Sequence, residues 1–315
     1  MRLLFHIGYP KSASSALQKG FFDIHPDIQF FGRIPTHNTG SKVIEVNHQS
    51  LFLANQSLHQ WHDELVSDKF SIHDSKKQLN LFLSDNPSSK VKVFSSEFIT
   101  SVFFCHPDIF NKISRLKQLE FTDIILVIRN QVDLIKSQYR EHPFDPHDLV
   151  HGKPVTLDEW INHSNTLDHS YLGSLMYDRI IEYCYELFGK EHVFITPFES
   201  LTNDPKSVAI ELSDWMGINM SDSQKLLTNL PRENSGVSMR YNITRNLKKK
   251  ILGEFPISNY LPNKLNELIR SKLKKGAKAH YSITQDSINF LKLQFSESNR
   301  KTQNQLDKGL PAGYL

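Results

Sequence analysis

The segment Asp123–Arg129 reads DIILVIR, with five consecutive aliphatic side chains between two charged ends. It is too short for a buried helix and apolar on both faces. That pattern is the one a central strand of a parallel sheet requires, because both of its faces are covered. Parallel pairing needs crossover connections, so helices must alternate with strands along the chain. Arg2–Ile7 (RLLFHI) predicts another short buried strand, followed by a turn at Gly8–Ala13 and a helix from Ser14 with Leu17, Phe21 and Phe22 at apolar spacing. Lys90–Ser95 (KVKVFS) and His192–Thr196 (HVFIT) read as further strands.

Asn130 is a good helix N-cap with Asp133 three residues on, and Val132, Leu134, Ile135 and Tyr139 continue a helical pattern. Leu172–Phe188 predicts one long amphipathic helix stopped by Gly189, and Asp204–Met216 predicts another helix. Residues from Asn219 to Leu315 read as mainly helical, with a loop over Pro231–Ser238. The expected fold class is α/β: a mostly parallel central sheet with helices on both faces. The expected organisation is a single domain over 1–315 with a basic, mainly helical C-terminal part at 231–315.

Charge is unevenly distributed. The net charge is +3, yet residues from Pro231 onward carry 16 Lys/Arg against 6 Asp/Glu, and the first 230 carry 21 against 28. A basic C-terminal third suggests an anionic partner such as a nucleotide or charged glycan. Lys248–Lys250 and Lys272–Lys275 lack interleaved aromatic residues, so they read as solvated helix faces and no nucleic-acid partner is expected. With 39% hydrophobic and 23% charged residues, the composition excludes disordered, collagen-like and coiled-coil chains. Cys105 and Cys184 cannot build a disulfide framework, which points to a reducing cytoplasm. No transmembrane segment or secretory apolar region is read in the sequence.

The segment His6–Gln18 (HIGYPKSASSALQ) carries the most chemistry. A strand passes into a tight turn with one lysine and several small residues, and then into a helix. Backbone N–H groups of such a turn cradle anionic oxygens, small side chains let the backbone approach, and Ser14 and Ser15 add hydroxyl donors. Lys11 can follow charge developing on a leaving oxygen. This is not the nucleoside-triphosphate loop G-x-x-x-x-G-K-[ST], because the lysine precedes the small residues.

These residues resemble the phosphosulfate loop of the sulfotransferases that use 3'-phosphoadenosine 5'-phosphosulfate (PAPS), approximately P-K-[ST]-G-[ST]-[ST]-x-L. Pro10, Lys11, Ser12, Ser14, Ser15 and Leu17 match, while Ala13 stands where glycine is usual. Alanine restricts positive φ, so the loop is expected to manage without a left-handed residue there. A second match follows the central strand. Arg129-Asn130-Gln131-Val132-Asp133 through Ser137-Gln138-Tyr139 resembles the family's 3'-phosphate motif R-N-P-x-D-x-x-x-S-x-Y, with Gln131 for proline. Arg129 would project from the carboxyl edge of the sheet, where open α/β folds bind ligands, and Ser137 would meet it around one phosphate.

A looser match runs from Phe188-Gly189 through Phe198-Glu199-Ser200-Leu201 to Asp204-Pro205, with Phe198 where the family has tyrosine. It reads as scaffold. Arg232, in the loop Arg232–Ser238, falls where relatives cover the nucleotide and could serve the 3'-phosphate. Ser296–Arg300 resembles the tail of bacterial carbohydrate-type members.

The resemblance implies a P-loop-like sulfotransferase architecture, PAPS as co-substrate, PAP as product and no metal requirement. It implies a nucleotide site of Lys11, Ser12, Ala13, Ser14, Ser15, Arg129, Ser137 and Arg232. The base station of the family follows the strand ending at Ser95, and here it holds Glu97. A carboxylate at that station tilts the acceptor toward a carbohydrate hydroxyl. Ser95 either touches the transferring group or caps the strand end. His142, His147 and His151 share a loop with Asp145 and Asp148, but their spacing fits no standard zinc pattern, and the loop reads as solvated. Cys105-His106 reads as structural. Two other readings stay open: a non-catalytic PAPS-, PAP- or glycan-binding relative, and a nucleotide-dependent kinase of related topology.

Overall fold

The computed structural model describes residues 2–32, 49–84, 91–103, 105–148, 152–167, 169–231 and 282–314. The chain divides into two compact units. One comprises Met1–Asn130, Met176–Pro231 and Ser296–Leu315; the other comprises Gln131–Leu175 and Arg232–Phe295.

Among the described residues the first unit is built on five strands: β1 (Arg2–His6), β2 (Ile28–Gly32), β3 (Val91–Ser95), β4 (Asp123–Ile128) and β5 (Val193–Pro197). All pair in parallel, in the order β2-β3-β1-β4-β5. The apolar run predicted as a central strand is β4, and all six of its residues are buried. In β1, Phe5 is in register with Phe94 of β3 and Ile124 of β4.

Alternation along each strand sorts the side chains into two cores. On one face Leu4, Val93, Ile125 and Val127 pack against Leu17, Phe21 and Phe22 that follow the first loop. The same core takes Leu201 of α8 (Phe198–Asn203), Val208 and Leu212 of α9 (Pro205–Met216), and Leu227 of α10 (Met220–Thr228). On the other face Phe5 lies edge-on to Phe121 at 5.1 Å, and Trp61 of α2 (Gln49–Leu65) sits 5.3 Å from Phe94. Buried Ile113 and Leu116 of α4 (Ile109–Gln118) and Ile180, Ile181 and Cys184 of α7 (Tyr177–Phe188) add to the apolar interior. Helix α3 (Ile72–Ser84) presents Leu83 O to Lys92 of β3 at 2.6 Å.

The amino edge of the sheet is closed electrostatically. Buried Asp123 accepts from Arg2 Nη2 at 2.5 Å and from the Thr122 hydroxyl at 2.5 Å, and His192 Nδ1 lies 3.1 Å away. Burial alone would raise this carboxyl. The hydrogen bonds of Arg2, Thr122 and His192 and the charge of Arg2 outweigh it and hold the group below the ordinary carboxylate value.

The second unit holds α5 (Gln131–Glu141), α6 (Leu157–Asn165) and residues 285–295 of the final helix, Gln285–Gln305. Thr156 and Glu159 form a capping box at the start of α6. Fully buried Trp160 packs between Tyr139 and Tyr171, with centroids 6.3 and 5.4 Å away. In the histidine-containing loop, His147 Nε2 lies 3.0 Å from Thr166 Oγ1, and Asp145 lies 3.0 Å from His163 Nδ1. Those contacts tie the loop to the end of α6.

The predicted helix Leu172–Phe188 is shorter than expected. Helix α7 starts at Tyr177, and Gly173–Leu175 is a separate 3-10 turn. The Ser170 hydroxyl takes the Gly173 N–H at 3.1 Å and Ser174 Oγ donates to Tyr171 O at 2.6 Å. These local side-chain bonds compete with helical pairing. Most of the predicted basic C-terminal part, 232–281, lies outside the described residues.

Candidate functional site at the carboxyl edge

The chain leaves β1 to build β2 and β3 on one side and later β4 and β5 on the other. Open α/β sheets form a ligand crevice at such a reversal, outside the carboxyl ends of the strands. Three neighbouring strand ends, β3, β1 and β4, therefore set the candidate site, each about 4.8 Å from the next. They carry Glu97, the Lys11 loop and Arg129.

The loop continues the sheet before it turns. Ile7 N–H donates to Ile125 O at 2.8 Å and Tyr9 N–H to Val127 O at 3.3 Å. Ser12 N–H then returns to Tyr9 O at 3.0 Å, and Ala13 O accepts from Leu17 N–H at 3.0 Å, opening α1 (Ser14–Leu17). A single π turn, Gln18–Phe22, extends that helix. Lys11 has φ 71° and Ala13 φ 66°. The expectation that alanine would keep the loop out of left-handed space is therefore corrected: Ala13 occupies the conformation for which glycine is the usual residue. A left-handed alanine costs about 1 kcal/mol, and the surrounding bonds hold it. Ser12 and Ser14 are buried, and Ser12 Oγ has no hydrogen-bond partner among the described residues.

Arg129 follows β4 directly. Its Nη1 donates to Lys11 O at 2.5 Å, and its guanidinium carbon stands 4.4 Å over the Phe198 ring. Its Nε is buried and without a partner among the described residues. Its carbonyl accepts from the hydroxyl of fully buried Tyr177 at 2.6 Å, and Tyr177 lies edge-on to Tyr9 at 5.0 Å. Burial pushes the Tyr177 phenol far above its usual value, so it remains a donor. Glu199 Oε1 accepts the Asn130 N–H at 3.0 Å, and Glu199 Oε2 accepts the Tyr314 hydroxyl at 2.7 Å. Asn130 Nδ2 donates to Gly313 O at 2.6 Å, so the C-terminal residues brace the backbone beside Arg129.

Glu97 opens a 3-10 turn, Glu97–Ile99, and is half-buried. Ser96 Oγ accepts from Phe98 N–H at 3.3 Å, and Ser96 N–H donates to His6 O at 3.1 Å. Thr100 Oγ1 donates to Gly8 O at 3.3 Å, which ties this turn to the Lys11 loop. Buried Lys112 braces it from α4, with Nζ 2.9 Å from Phe98 O, 2.5 Å from Ser101 O and 3.4 Å from Cys105 Sγ. Burial pulls the Lys112 ammonium below the usual lysine value, and Cys105 opposes the shift. Ser95 is fully buried, and its Oγ contacts His6 Nδ1 at 2.7 Å and Gln18 Nε2 at 2.9 Å.

The first unit thus brings together Lys11, Ser12, Ala13, Ser14, Ser15, Arg129 and Glu97. Ser137 lies half-buried on α5 of the second unit. Arg232 is outside the described residues. Sequence reading treated the Phe198 segment as scaffold, whereas Phe198 carries the Arg129 guanidinium. It also passed over His6 and Gln18, for which one imidazole in an otherwise aliphatic and aromatic strand was the available signal. A cavity of about 760 Å³ lies along β5 and α9, lined by residues including Lys190, Glu211, Trp215 and Lys308. None of Lys11, Glu97 and Arg129 lines it.

The arrangement groups a cation, a left-handed backbone turn with small buried serines, and an arginine whose Nε has no partner among the described residues. A half-buried carboxylate stands on the neighbouring strand end. No protein-family model matches the chain, and no curated protein does. Among solved structures, it is similar to a sulfotransferase from Alicyclobacillus acidocaldarius at 16% identity and TM-score 0.45, over 80% of this chain and 96% of that one. It is similar to mouse sulfotransferase SULT7A1 complexed with PAP at 14% identity and TM-score 0.41, over 93% and 88% of the two chains. It is similar to the sulfotransferase domain of the Synechococcus PCC 7002 olefin synthase at 15% identity and TM-score 0.40, over 93% and 94%. Identity of this order leaves the chemistry to be argued from the chain's own residues.

Proposed function

We propose that this protein is a PAPS-dependent sulfotransferase that transfers a sulfuryl group to an acceptor hydroxyl on a carbohydrate. The observation that carries the reading is the direct bond between the Arg129 guanidinium and the Lys11 carbonyl at the reversal point of the sheet. One bisphosphorylated adenosine can then be held by the loop at its 5' end and by Arg129 at its 3' end. Ser12 Oγ and Arg129 Nε, without partners among the described residues, fit an anionic occupant, because buried polar atoms are otherwise paired.

PAPS supplies an activated sulfuryl group. The acceptor oxygen bonds to sulfur as the bond from sulfur to the bridging phosphate oxygen breaks, in line. Glu97 takes the acceptor proton and Lys11 neutralises the bridging oxygen. Ser12, Ala13, Ser14 and Ser15 hold the 5' end, the family resemblance assigns Ser137 and Arg232 to the 3'-phosphate, and no metal takes part. In this reading 1–315 is a single sulfotransferase domain of the bacterial carbohydrate branch, acting in the cytoplasm.

Titration with adenosine 3',5'-bisphosphate tests the reading by melting temperature. A ligand at 100 times its dissociation constant adds about 2.7 kcal/mol. Stabilisation by ATP with magnesium alone supports the kinase reading instead. Glu97→Gln then separates enzyme from binding protein: turnover into a glycan pool falls by about 10²–10⁴ with bisphosphate affinity kept. A wild type that binds the bisphosphate and transfers no labelled sulfate is a non-catalytic relative.

A further inference from the structure

We propose that His6 is a positioning residue for the phosphosulfate loop, its Nε2–H setting the Ser14 hydroxyl so that this hydroxyl donates to the 5' end of the nucleotide. The proposal rests on the nucleotide reading of the loop given above.

His6 is fully buried on β1, on the Leu4 face, with its ring 5.4 Å from that of Phe22. Gln18 Nε2 donates to Ser95 Oγ at 2.9 Å, and Ser95 Oγ lies 2.7 Å from His6 Nδ1. A serine hydroxyl has one hydrogen. Among the described residues Nδ1 is the acceptor this hydrogen has, so it is placed there and the ring's own hydrogen on Nε2. Nε2 is buried and has no hydrogen-bond partner among the described residues.

A buried N–H without an acceptor is costly, so its surroundings matter. A Cβ built on Gly8 would stand 2.8 Å from His6 Nε2 and 3.1 Å from Ser14 Oγ. Both groups therefore face one small space beside the Gly8 backbone, which any larger residue would fill. Ser14 Oγ donates to Tyr9 O at 3.5 Å, the outer limit of a hydrogen bond. An anion in the loop offers the Ser14 hydrogen a stronger acceptor, and Ser14 Oγ can then accept from Nε2–H. The chain Gln18, Ser95, His6, Ser14, anion uses each donor once. Such a chain strengthens cooperatively. Burial pushes the imidazole down to about 3, so it serves as a neutral donor throughout the physiological range. The chain also joins the helix leaving the loop to the strand that leads into Glu97.

Asparagine and glutamine separate the two ring nitrogens, because the asparagine amide nitrogen reproduces the place of Nδ1 and the glutamine nitrogen that of Nε2. Calorimetry with adenosine 3',5'-bisphosphate on His6→Asn is expected to give binding about tenfold or more weaker. His6→Gln recovers most of that loss, and Ser14→Ala binds about as weakly as His6→Asn. Equal binding by His6→Asn and wild type, or by Ser14→Ala and wild type, overturns the proposal. Imidazole nitrogen NMR of the wild type needs no ligand and no variant. It should show the Nε2–H tautomer unchanged from pH 8 to pH 5, and an Nδ1–H tautomer overturns the proposal even if both variants fail to fold. A wild type with the expected tautomer that binds no bisphosphate overturns the nucleotide reading, and this proposal with it.

Discussion

Arg129 Nη1 reaches the carbonyl oxygen of Lys11 at 2.5 Å, across the gap between two neighbouring parallel strands. The two residues are 118 positions apart in sequence. The bond fixes the arginine against the loop, and the proposed function gives the rest of its planar fork to a phosphate.

Substituting Arg129 is expected to damage nucleotide binding more than folding. Arg129→Ala should weaken adenosine 3',5'-bisphosphate binding by about tenfold to a hundredfold, the range for a charged hydrogen bond. Arg129→Lys should recover only a small part, because an ammonium cannot hold Lys11 O and a phosphate together. Calorimetric titration reads both, and full affinity in Arg129→Lys would contradict the fork geometry.

Ala13 tests the left-handed turn. Ala13→Gly removes about 1 kcal/mol of strain and returns about 0.4–1 kcal/mol of unfolded-chain freedom. A small gain in melting temperature with nucleotide affinity kept is expected. Ala13→Val should lower the melting temperature and abolish binding, because a β-branched residue tolerates positive φ poorly. A clearly destabilised Ala13→Gly would count against the turn.

Phe198 holds the Arg129 guanidinium through its ring face. Phe198→Leu keeps an apolar side chain and loses the cation–π contact, worth about 0.5–2 kcal/mol. Bisphosphate affinity should fall by about twofold to thirtyfold, while Phe198→Tyr stays near wild type. Unchanged affinity in Phe198→Leu would show that the ring does not orient the arginine.

The buried imidazole makes stability depend on acidity. His6 is lowered from 6.5 to about 3 in the folded protein, so the unfolded chain takes up the proton first. Its contribution is complete above pH 6.5 and is lost as pH falls toward 3, at up to about 1.4 kcal/mol per unit. Asp123 is also depressed and adds its own loss only below its ordinary value of 3.8. Urea midpoints at pH 7 and pH 5 should differ clearly in wild type and much less in His6→Gln. An equal pH dependence in the two proteins would exclude the buried neutral imidazole.

Local patterns made much of the sheet legible. β1, β3, β4 and β5 stand within a residue or so of their predicted places because each is a short apolar run bounded by turn residues. β2 was not anticipated. Its sequence, IQFFG, is brief, and only its register with β3 makes it a strand. The start of α7 was misplaced because Ser170 and Ser174 hydroxyls redirect the backbone there, a competition that helical periodicity does not register.

The order of side chains along the chain determined the tight turn: Pro10, Lys11 and the serines bring small residues and a cation together within a few positions. It also determined that Arg129 would end a buried strand. Tertiary structure alone decided that Arg129 leans on Lys11 and Phe198, that Ala13 turns left-handed, and that Ser95 is spent on His6 and Gln18. The side-chain contacts among them join groups from 69 to 118 positions apart, and they depend on burial, which makes every unpaired polar atom costly.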